Sequence, residues 1–461
     1  MWSKIREKGF GFFQNLFLFI LLEVFLLPYD FFILTLCYSL KWLYPKETER
    51  ATSTREKTIA ITGGKMTKAL QLCRGFKAAG HRVILIEGEK YWLSGARFSN
   101  SVDAFYTVPS PEKDQQGFTS ALVDIIRKER VDTFIPVSSP ASAQHESLAK
   151  PFLEKYCEVF HFDYETCKML DDKMLFNEKA RSIGLSVPQS FLITDRQQVL
   201  DFNFNSEDSK GRQYILKSIK YDAEARLNLT KLPLAKEENL LAFLSKLRIS
   251  KDNPWILQEY IEGREYCAHA TARDGSLRVY VCCESSSWLL NYTAVDKPAI
   301  FDWVNKFVKE SKLTGQACFD FIEAENGQIY SIECNPRLHS AITCFYNHSL
   351  LADAYLSKQN EGSDGEPPKW PIVPLSNARP TYWVYHEMYN LLQTRSLSDL
   401  QKWTLQLLEG RDAVLSVNDP LPFFALYHIQ IPSLLLMNLL KFKPWIRIDF
   451  NIGKLVEAEG D

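Results

Sequence analysis

The sequence predicts an α/β protein, a doubly wound domain followed by a larger mixed region, with apolar segments at both ends. Three observations carry this. From Thr58 a strand, a glycine turn, a helix and a second strand succeed one another. After Gln213 a series of strand-like runs leads to an Asn-Gly hairpin. The chain has 461 residues, 46% hydrophobic and 24% charged, a globular composition long enough for about three domains. The expected division is an apolar helical segment at 1–45, a Rossmann-like domain at 57–160, a two-lobed domain at 161–345 and a partly apolar C-terminal region at 346–461.

The first segment places Lys4, Arg6 and Lys8 before "LFLFILLEVFLLPYDFFILTLCYSLKWLYP". Glu23 interrupts the first apolar block, and Pro28 and Asp30 separate it from the second. Each block is shorter than the roughly 20 residues a spanning helix needs. The expectation is two short helices joined at Pro28. They lie against a membrane interface, pack on the similarly apolar stretch "LPFFALYHIQIPSLLLMNLLKFKPWIRI", or pair two copies as a homodimer. Residues 46–56, "KETERATSTRE", read as a linker.

"TIAI" is a buried strand, "TGGK" a turn, "MTKALQLCRGFKAAGH" a helix stopping at Gly80, and "RVILIE" the next strand. "TGGKMT" matches neither a Walker A loop nor G-x-G-x-x-G. It is either a tight turn or an anion site at a helix N-terminus, and Glu87 ends the second strand where a ribose-binding acid would stand. "ALVDIIRKERVD" and "TFIPVSS" add a helix and a strand. Residues 161–213 read as mixed helix and loop, with "DDKMLFNEKARSIGLSVP" as one amphipathic helix with an acidic start. Strands follow at "QYILKSI", "WILQEYI", "EYCAHATAR", "RVYVCCES", "QACFDFIEA" and "QIYSIEC", with a helix at "KEENLLAFLSKL".

A formal net charge of −2 argues against bulk nucleic-acid binding. Ten cysteines without a C-x-x-C read as reduced core residues and fit a cytoplasmic setting. The chemistry gathers in "CFDFIEAENGQIYSIECNPR". Its two strands run antiparallel, so Asp320, Glu333 and Asn335 can share one face, an oxygen donor set that suits Mg²⁺. Arg337, just beyond, can grip a phosphate or carboxylate. Lys217 stands in an apolar strand, where an unpaired ammonium is costly and a phosphate is a natural partner. "LQEYIEGREY" offers main-chain groups to an adenine edge, with Glu265 placed for ribose hydroxyls. Arg97 in "KYWLSGARFSN" is either a substrate contact or an exposed loop arginine. Ser138 and Ser139 in "IPVSSP" are either substrate contacts at a strand's C-terminal end or turn residues.

Lys173, Lys217, "QEYIEGRE", Asp320, Glu333 and Asn335, in that order, resemble the ATP-grasp family over residues 55–345. The resemblance implies an α+β ATP-grasp fold binding ATP and two Mg²⁺ ions. Lys173 and Lys217 would hold the α- and β-phosphates, Gln258, Glu259 and Ile261 the adenine, and Glu265 the ribose. Asp320, Glu333 and Asn335 would ligate the metal, and Arg337 would face the γ-phosphate or acceptor. Two departures stand out. The phosphate loop "KYDAEARLNLTKLP" has no glycine, with Arg226 as a replacement for backbone amides. Cys318 occupies the place of an arginine that steadies a tetrahedral intermediate, leaving that task to Arg337 or His339. "KYWLSGARFSNSVDAFYTVP", "CEVFHFD", "MLDDK", "NPRLHSAIT" and "RIDFNIGKLVE" are similar to the cyanobacterial mycosporine-glycine ligases within this family. That likeness implies coupling of glycine to 4-deoxygadusol. The rival readings are a carboxylate–amine ligase with another acid, and an ATP-binding scaffold at the inner face of a membrane.

Overall fold

The structure, a computed structural model, describes residues 2–43, 56–137, 142–219, 228–285, 291–357 and 370–457. Ser138, Ser139, Arg226 and nearly all of the 46–56 linker lie outside the described residues. The α/β class holds: a domain with a five-stranded parallel sheet precedes a region with a three-stranded and a four-stranded antiparallel sheet, and apolar helices lie at both ends.

The first domain is a parallel sheet of β1 (Thr58–Ile61), β2 (Arg82–Gly88), β3 (Ala104–Val108), β4 (Thr133–Ile135) and β5 (Glu158–Val159), in the order β3-β2-β1-β4-β5. Ile59, Ala60 and Ile61 are fully buried because helices cover both faces, which explains the unbroken apolar run in "TIAI". The helix Thr67–Ala78 buries Ala69, Leu70, Leu72, Cys73 and Phe76, and Gly80 follows it with a φ of +85°. The loop before that helix is not an anion site. Glu87 accepts from the Lys65 N–H at 2.7 Å, Gly64 N–H donates to Ile86 O, and Thr67 N–H donates to Asn451 O. Glu87 is thereby spent on its own turn, and the ribose reading of that residue falls with the anion one.

The smaller lobe is the antiparallel sheet of β6 (Ser190–Ile193), β7 (Tyr214–Ser218) and β8 (Trp255–Glu259), with β8 in the middle. Strand β6 was hidden in a stretch expected to hold no strand, because its four residues are too few to show a period. The larger lobe has β9 (Gly263–Arg273) and β10 (Ser276–Glu284). The short β11 (Asn291–Tyr292) leaves to pair with the C-terminal region, and β12 (Gly315–Ala324) and β13 (Ile329–Asn335) complete the sheet in the order β10-β9-β12-β13. The helix Pro298–Glu310 covers it through Trp303, Val304, Phe307 and Val308. The expected amphipathic helix at "DDKMLFNEKARS" is Lys173–Ser182, and a separate helix, Tyr164–Asp171, precedes it. Asp172 separates the two by capping Lys173–Ser182, accepting from Met174 N–H and Leu175 N–H.

At the N-terminus, too, the structure corrects the expectation. Trp2–Ile20, a π-helical turn at Leu21–Leu26 and Leu27–Leu43 form one continuous rod. The π turn shifts the hydrogen-bond ladder directly before Pro28, so the missing proline N–H falls where the register is already changing. The rod packs on the C-terminal helix Leu421–Lys441 and on the loop after it. One buried cluster joins Leu22 of the rod, the helix Thr67–Ala78, Cys318 of β12 and Tyr427, so the site domain is braced from both ends of the chain.

Candidate active site

The site is built on one face of the larger sheet. Asp320 on β12 pairs across the ladder with Glu333 on β13, and Cys318 with Asn335. This pairing depends on a β-bulge. Glu323 pairs with Ile329, Ile322 with Tyr330 and Phe321 with Ser331, so an unbroken register would set Asp320 opposite Ile332. The extra residue brings Glu333 onto the face of Asp320 instead. On the other side β9 pairs Cys267 with Asp320, which puts Glu265, two residues earlier, on the same face.

The side chains converge as the backbone dictates. Asn335 Nδ2 lies 3.5 Å from Asp320 Oδ2, and Arg337 Nη2 donates to Asn335 Oδ1 at 2.9 Å. Lys173 Nζ, from the first turn of its helix, is 3.5 Å from Glu333 Oε2. Burial raises the Asp320 carboxyl well above the usual range, and the facing Glu333 carboxylate pushes the same way. Burial pulls the Lys217 ammonium below its usual range, against the opposing pull of Glu333, Asp320 and Glu265. Two half-buried carboxylates share one face with the Asn335 amide, whose oxygen accepts from Arg337, and Lys173 and Lys217 stand beside them. Among the described residues no three His, Cys, Asp or Glu side chains form a metal cluster, and this set is two carboxylates and one amide. Such a set fits Mg²⁺, which takes few protein carboxylates and keeps water and phosphate oxygens.

The linker after β8 has its main chain partly committed. Glu259 N–H donates to Gln189 O and Tyr260 N–H to Gln213 O, whereas among the described residues nothing takes the Ile261 N–H. The Gln258 side chain turns inward to Ile332 O at 3.4 Å, and the Glu259 carboxylate accepts from Arg212 at 2.8 Å. Of this trio, Ile261 keeps a main-chain donor for a base edge, while the other two side chains are structural.

Around Arg337 lies a second group. Arg337 Nε is buried without a partner among the described residues. His339 donates nothing from Nδ1, which accepts from Ala341 N–H at 3.3 Å, and burial with nearby His269, Arg337 and Lys68 keeps the ring neutral. Lys68, which the sequence reading missed, sends Nζ to Leu338 O at 2.7 Å. Burial lowers its ammonium well below the lysine range and Arg337 lowers it further, while Cys318 and Glu146 pull it back. A signal was available: a lysine in the first turn of a helix opposes the helix dipole, and here it is surrounded by buried residues. Asp171 is a second missed residue. Its carboxyl is raised by burial while Gln144, Arg337 and Lys173 draw it down.

Arg97 is not brought to this site. It is exposed, donates to Trp92 O and stacks over Trp92 and Phe105, so the loop-arginine reading stands. Cys318 is buried, its Sγ 4.0 Å from Asp320 Oδ1, and Arg337 and Lys68 supply positive charge on its side of the face.

No protein-family model matches the chain. The chain is 28% identical over 134 residues to the N-terminal section of the carbamoyl phosphate synthase large chain of Aquifex aeolicus, covering 28% of this chain and 22% of that protein. It is 26% identical over 208 residues to the carbamoyl phosphate synthase large chain of Brucella suis, covering 44% of this chain and 15% of that one. The chain thus spans about a fifth or less of these relatives. Among solved structures it is similar to N5-carboxyaminoimidazole synthetase from Staphylococcus aureus complexed with ADP, at a TM-score of 0.47 and 17% identity over 64% of this chain and 74% of that one. It is also similar to an L-amino acid ligase from Bacillus licheniformis, at a TM-score of 0.45 and 13% identity over 63% and 69%. A biotin carboxylase from Campylobacter jejuni gives 0.48 and 16% over 62% and 66%.

Proposed function

We propose that the chain is a cytoplasmic ATP-dependent ligase that forms a carbon–nitrogen bond, and that its substrates are 4-deoxygadusol and glycine. One observation carries the ligase reading. Lys173, Lys217, Glu265, Asp320 and Glu333, drawn from five separate elements, meet on one face between the two lobes. A scaffold that only held a nucleotide would have no use for two carboxylates crowded against each other beside two lysines. The choice of acceptor rests on the resemblance in "KYWLSGARFSNSVDAFYTVP" and "NPRLHSAIT" and on the buried cations Lys68 and Arg337.

The residues divide the work. Ile261 N–H takes the adenine edge, Glu265 the ribose hydroxyls, and Lys173 and Lys217 the phosphates. Asp320, Glu333 and Asn335 would hold Mg²⁺, which supplies charge neutralisation at the transferring phosphoryl group. Lys68 and Arg337 hold the acceptor's anionic oxygen, and His339, neutral, offers Nε2–H to it. The acceptor is a vinylogous carboxylic acid. Its enolate oxygen attacks the γ-phosphorus and ADP leaves. The glycine amine then adds to the activated carbon, a C–N bond forms, the C–O bond breaks, and phosphate departs with the oxygen. Preorganised cations are worth most in such a partly dry site.

The test is ADP release by the purified chain with ATP, Mg²⁺, glycine and 4-deoxygadusol, followed alongside the ultraviolet-absorbing product. The proposal expects both substrates to be required. Release that instead needs an ordinary carboxylic acid overturns the acceptor assignment and leaves the carboxylate–amine ligase. No release with a wide panel of acids and amines overturns the ligase itself.

A further inference from the structure

The N-terminal rod presents two unlike faces. Gly11, Asn15, Leu22, Asp30 and Cys37 are buried, at steps of four, seven, eight and seven residues, so one stripe follows the protein body along the whole rod. The contacts on that stripe are specific. Asn15 Nδ2 donates to Lys443 O at 2.9 Å, and Gln14 Nε2 donates to Trp445 O at 2.9 Å. A Cβ at Gly11 would meet Phe442 O at 2.9 Å. Asp30 accepts from Tyr385 and pairs with His428 at 2.8 Å, and Glu23 lies 3.4 Å from the same histidine. The two acids that interrupt the apolar run in the sequence therefore point into the protein.

Among the described residues the opposite face has no acid and no cover. Phe13 and Phe17 are 69% and 70% exposed, and Phe25, Tyr29, Phe31, Phe32 and Trp42 continue the patch to the far end. Leu440, Phe442 and Ile446, from the neighbouring C-terminal segment, are exposed beside it. Its rim is basic. Lys441, Lys443 and Arg447 are exposed near the start of the rod, where Lys4, Arg6 and Lys8 also stand in the sequence, and Lys41 lies at the other end. Of these, Lys443 has a Glu457 partner at 3.3 Å.

We propose that this face docks on an anionic lipid bilayer, with the rod lying in the plane of the interface. A spanning helix is excluded by the stripe. The rod of 35 residues from Gly9 is about 50 Å long, longer than a hydrocarbon core of roughly 30 Å, and the protein body accompanies it throughout. A second copy of the chain is a poorer occupant. In an antiparallel pairing the basic start would meet the Lys41 end, and in a parallel pairing the two basic starts would meet. Either arrangement sets cations against cations, which anionic headgroups would instead neutralise, while the aromatic ridge enters the acyl boundary.

The test is flotation of the full chain with phosphatidylcholine vesicles, with and without phosphatidylserine, beside the variant Phe17→Ser/Phe25→Ser. Both positions are exposed, so far-UV circular dichroism should be unchanged and reports any misfolding. The proposal expects flotation with the anionic vesicles, loss in high salt, and at least about a tenfold drop in bound fraction for the variant. Absence of flotation in the wild type overturns it. So does a lipid-free dimer that the variant converts to monomer, which would assign the face to a second copy. Resistance to alkaline carbonate, with protease sites on both sides of the vesicle, would also overturn it in favour of a span.

Discussion

Asp320 and Glu333 face each other across one strand pair, and each makes the other's charge costly. That repulsion is tolerable only where a cation completes the site, and it gives a sharp expectation. Asp320→Asn removes one charged ligand and lowers turnover by on the order of a hundredfold or more, about 3 kcal/mol of transition-state stabilisation. Without nucleotide the same variant melts no lower than wild type, since a repelled buried carboxylate is gone. Steady-state ADP release and thermal melting check the two halves. Lys68 makes a different prediction. The unfolded chain keeps its proton up to the ordinary value of 10.5, whereas the folded one releases it at lower pH. The unfolded state therefore binds more protons between the two values, and stability rises with pH across that window. Relative to Lys68→Met, wild type gains in melting temperature as pH climbs from neutral toward 10.5, and a flat difference would reject a strained ammonium. Residue type made most of this group legible. Asp320, Glu333, Asn335 and Lys217 are legible because polar groups in or at the ends of apolar strands ask for a partner, whereas Lys173, at a helix start, is picked out only by the family resemblance. Lys68 escaped because its helix was read for its apolar spacing alone.

At the scale of elements, the hairpin shows where sequence reasoning stops. The Asn-Gly turn was legible, and Gly327 does take a positive φ of 79°. Counting back from that turn, however, pairs Asp320 with Ile332 and sends Glu333 to the wrong face. The bulge that repairs the register has no residue signature in "YSIECN". Deleting Ile332 should therefore leave Glu333 opposite Asp320 in an unbroken ladder, whereas inserting an alanine after Ile332 should turn Glu333 off that face and abolish Mg²⁺-dependent ATP binding, measured by calorimetry, while the sheet persists in circular dichroism. Retained binding after the insertion would show that Glu333 is not required on that face. The joint between the first domain and the helices after it depends on His161. Its Nε2 bonds Ala143 O at 2.9 Å, and burial drops the ring to about 4 from 6.5. Between those values the unfolded chain binds the extra proton, so stability is lost as pH falls from 6.5 to about 4, by up to about 3 kcal/mol. His161→Gln, which keeps a donor, should flatten that decline in melts run from pH 7 to 4.

At the scale of the molecule, the same apolar content that makes the termini look like membrane spans binds the chain together. Leu22, Tyr427 and Cys318 belong to one core, so the rod and the C-terminal helix buttress the sheet that carries Asp320. The sequence showed two apolar ends and left open whether they met each other or a bilayer. The fold resolves the first part, since Asn15, Gln14 and Asp30 bond C-terminal partners. These contacts join residues some 400 positions apart, and no local pattern announces them. The central claim is that this braced face phosphorylates an oxygen of the acceptor before the amine arrives. Positional isotope exchange measures that step alone. ATP labelled with ¹⁸O at the β–γ bridge is incubated with the enzyme, Mg²⁺ and acceptor, without glycine. The account predicts that the label scrambles into the β-nonbridging positions only when acceptor is present, and that Glu333→Gln abolishes it. Product formation with glycine but no scrambling without it, where ADP stays bound long enough for its β-phosphate to rotate and ATP to re-form, would contradict the phosphorylated intermediate.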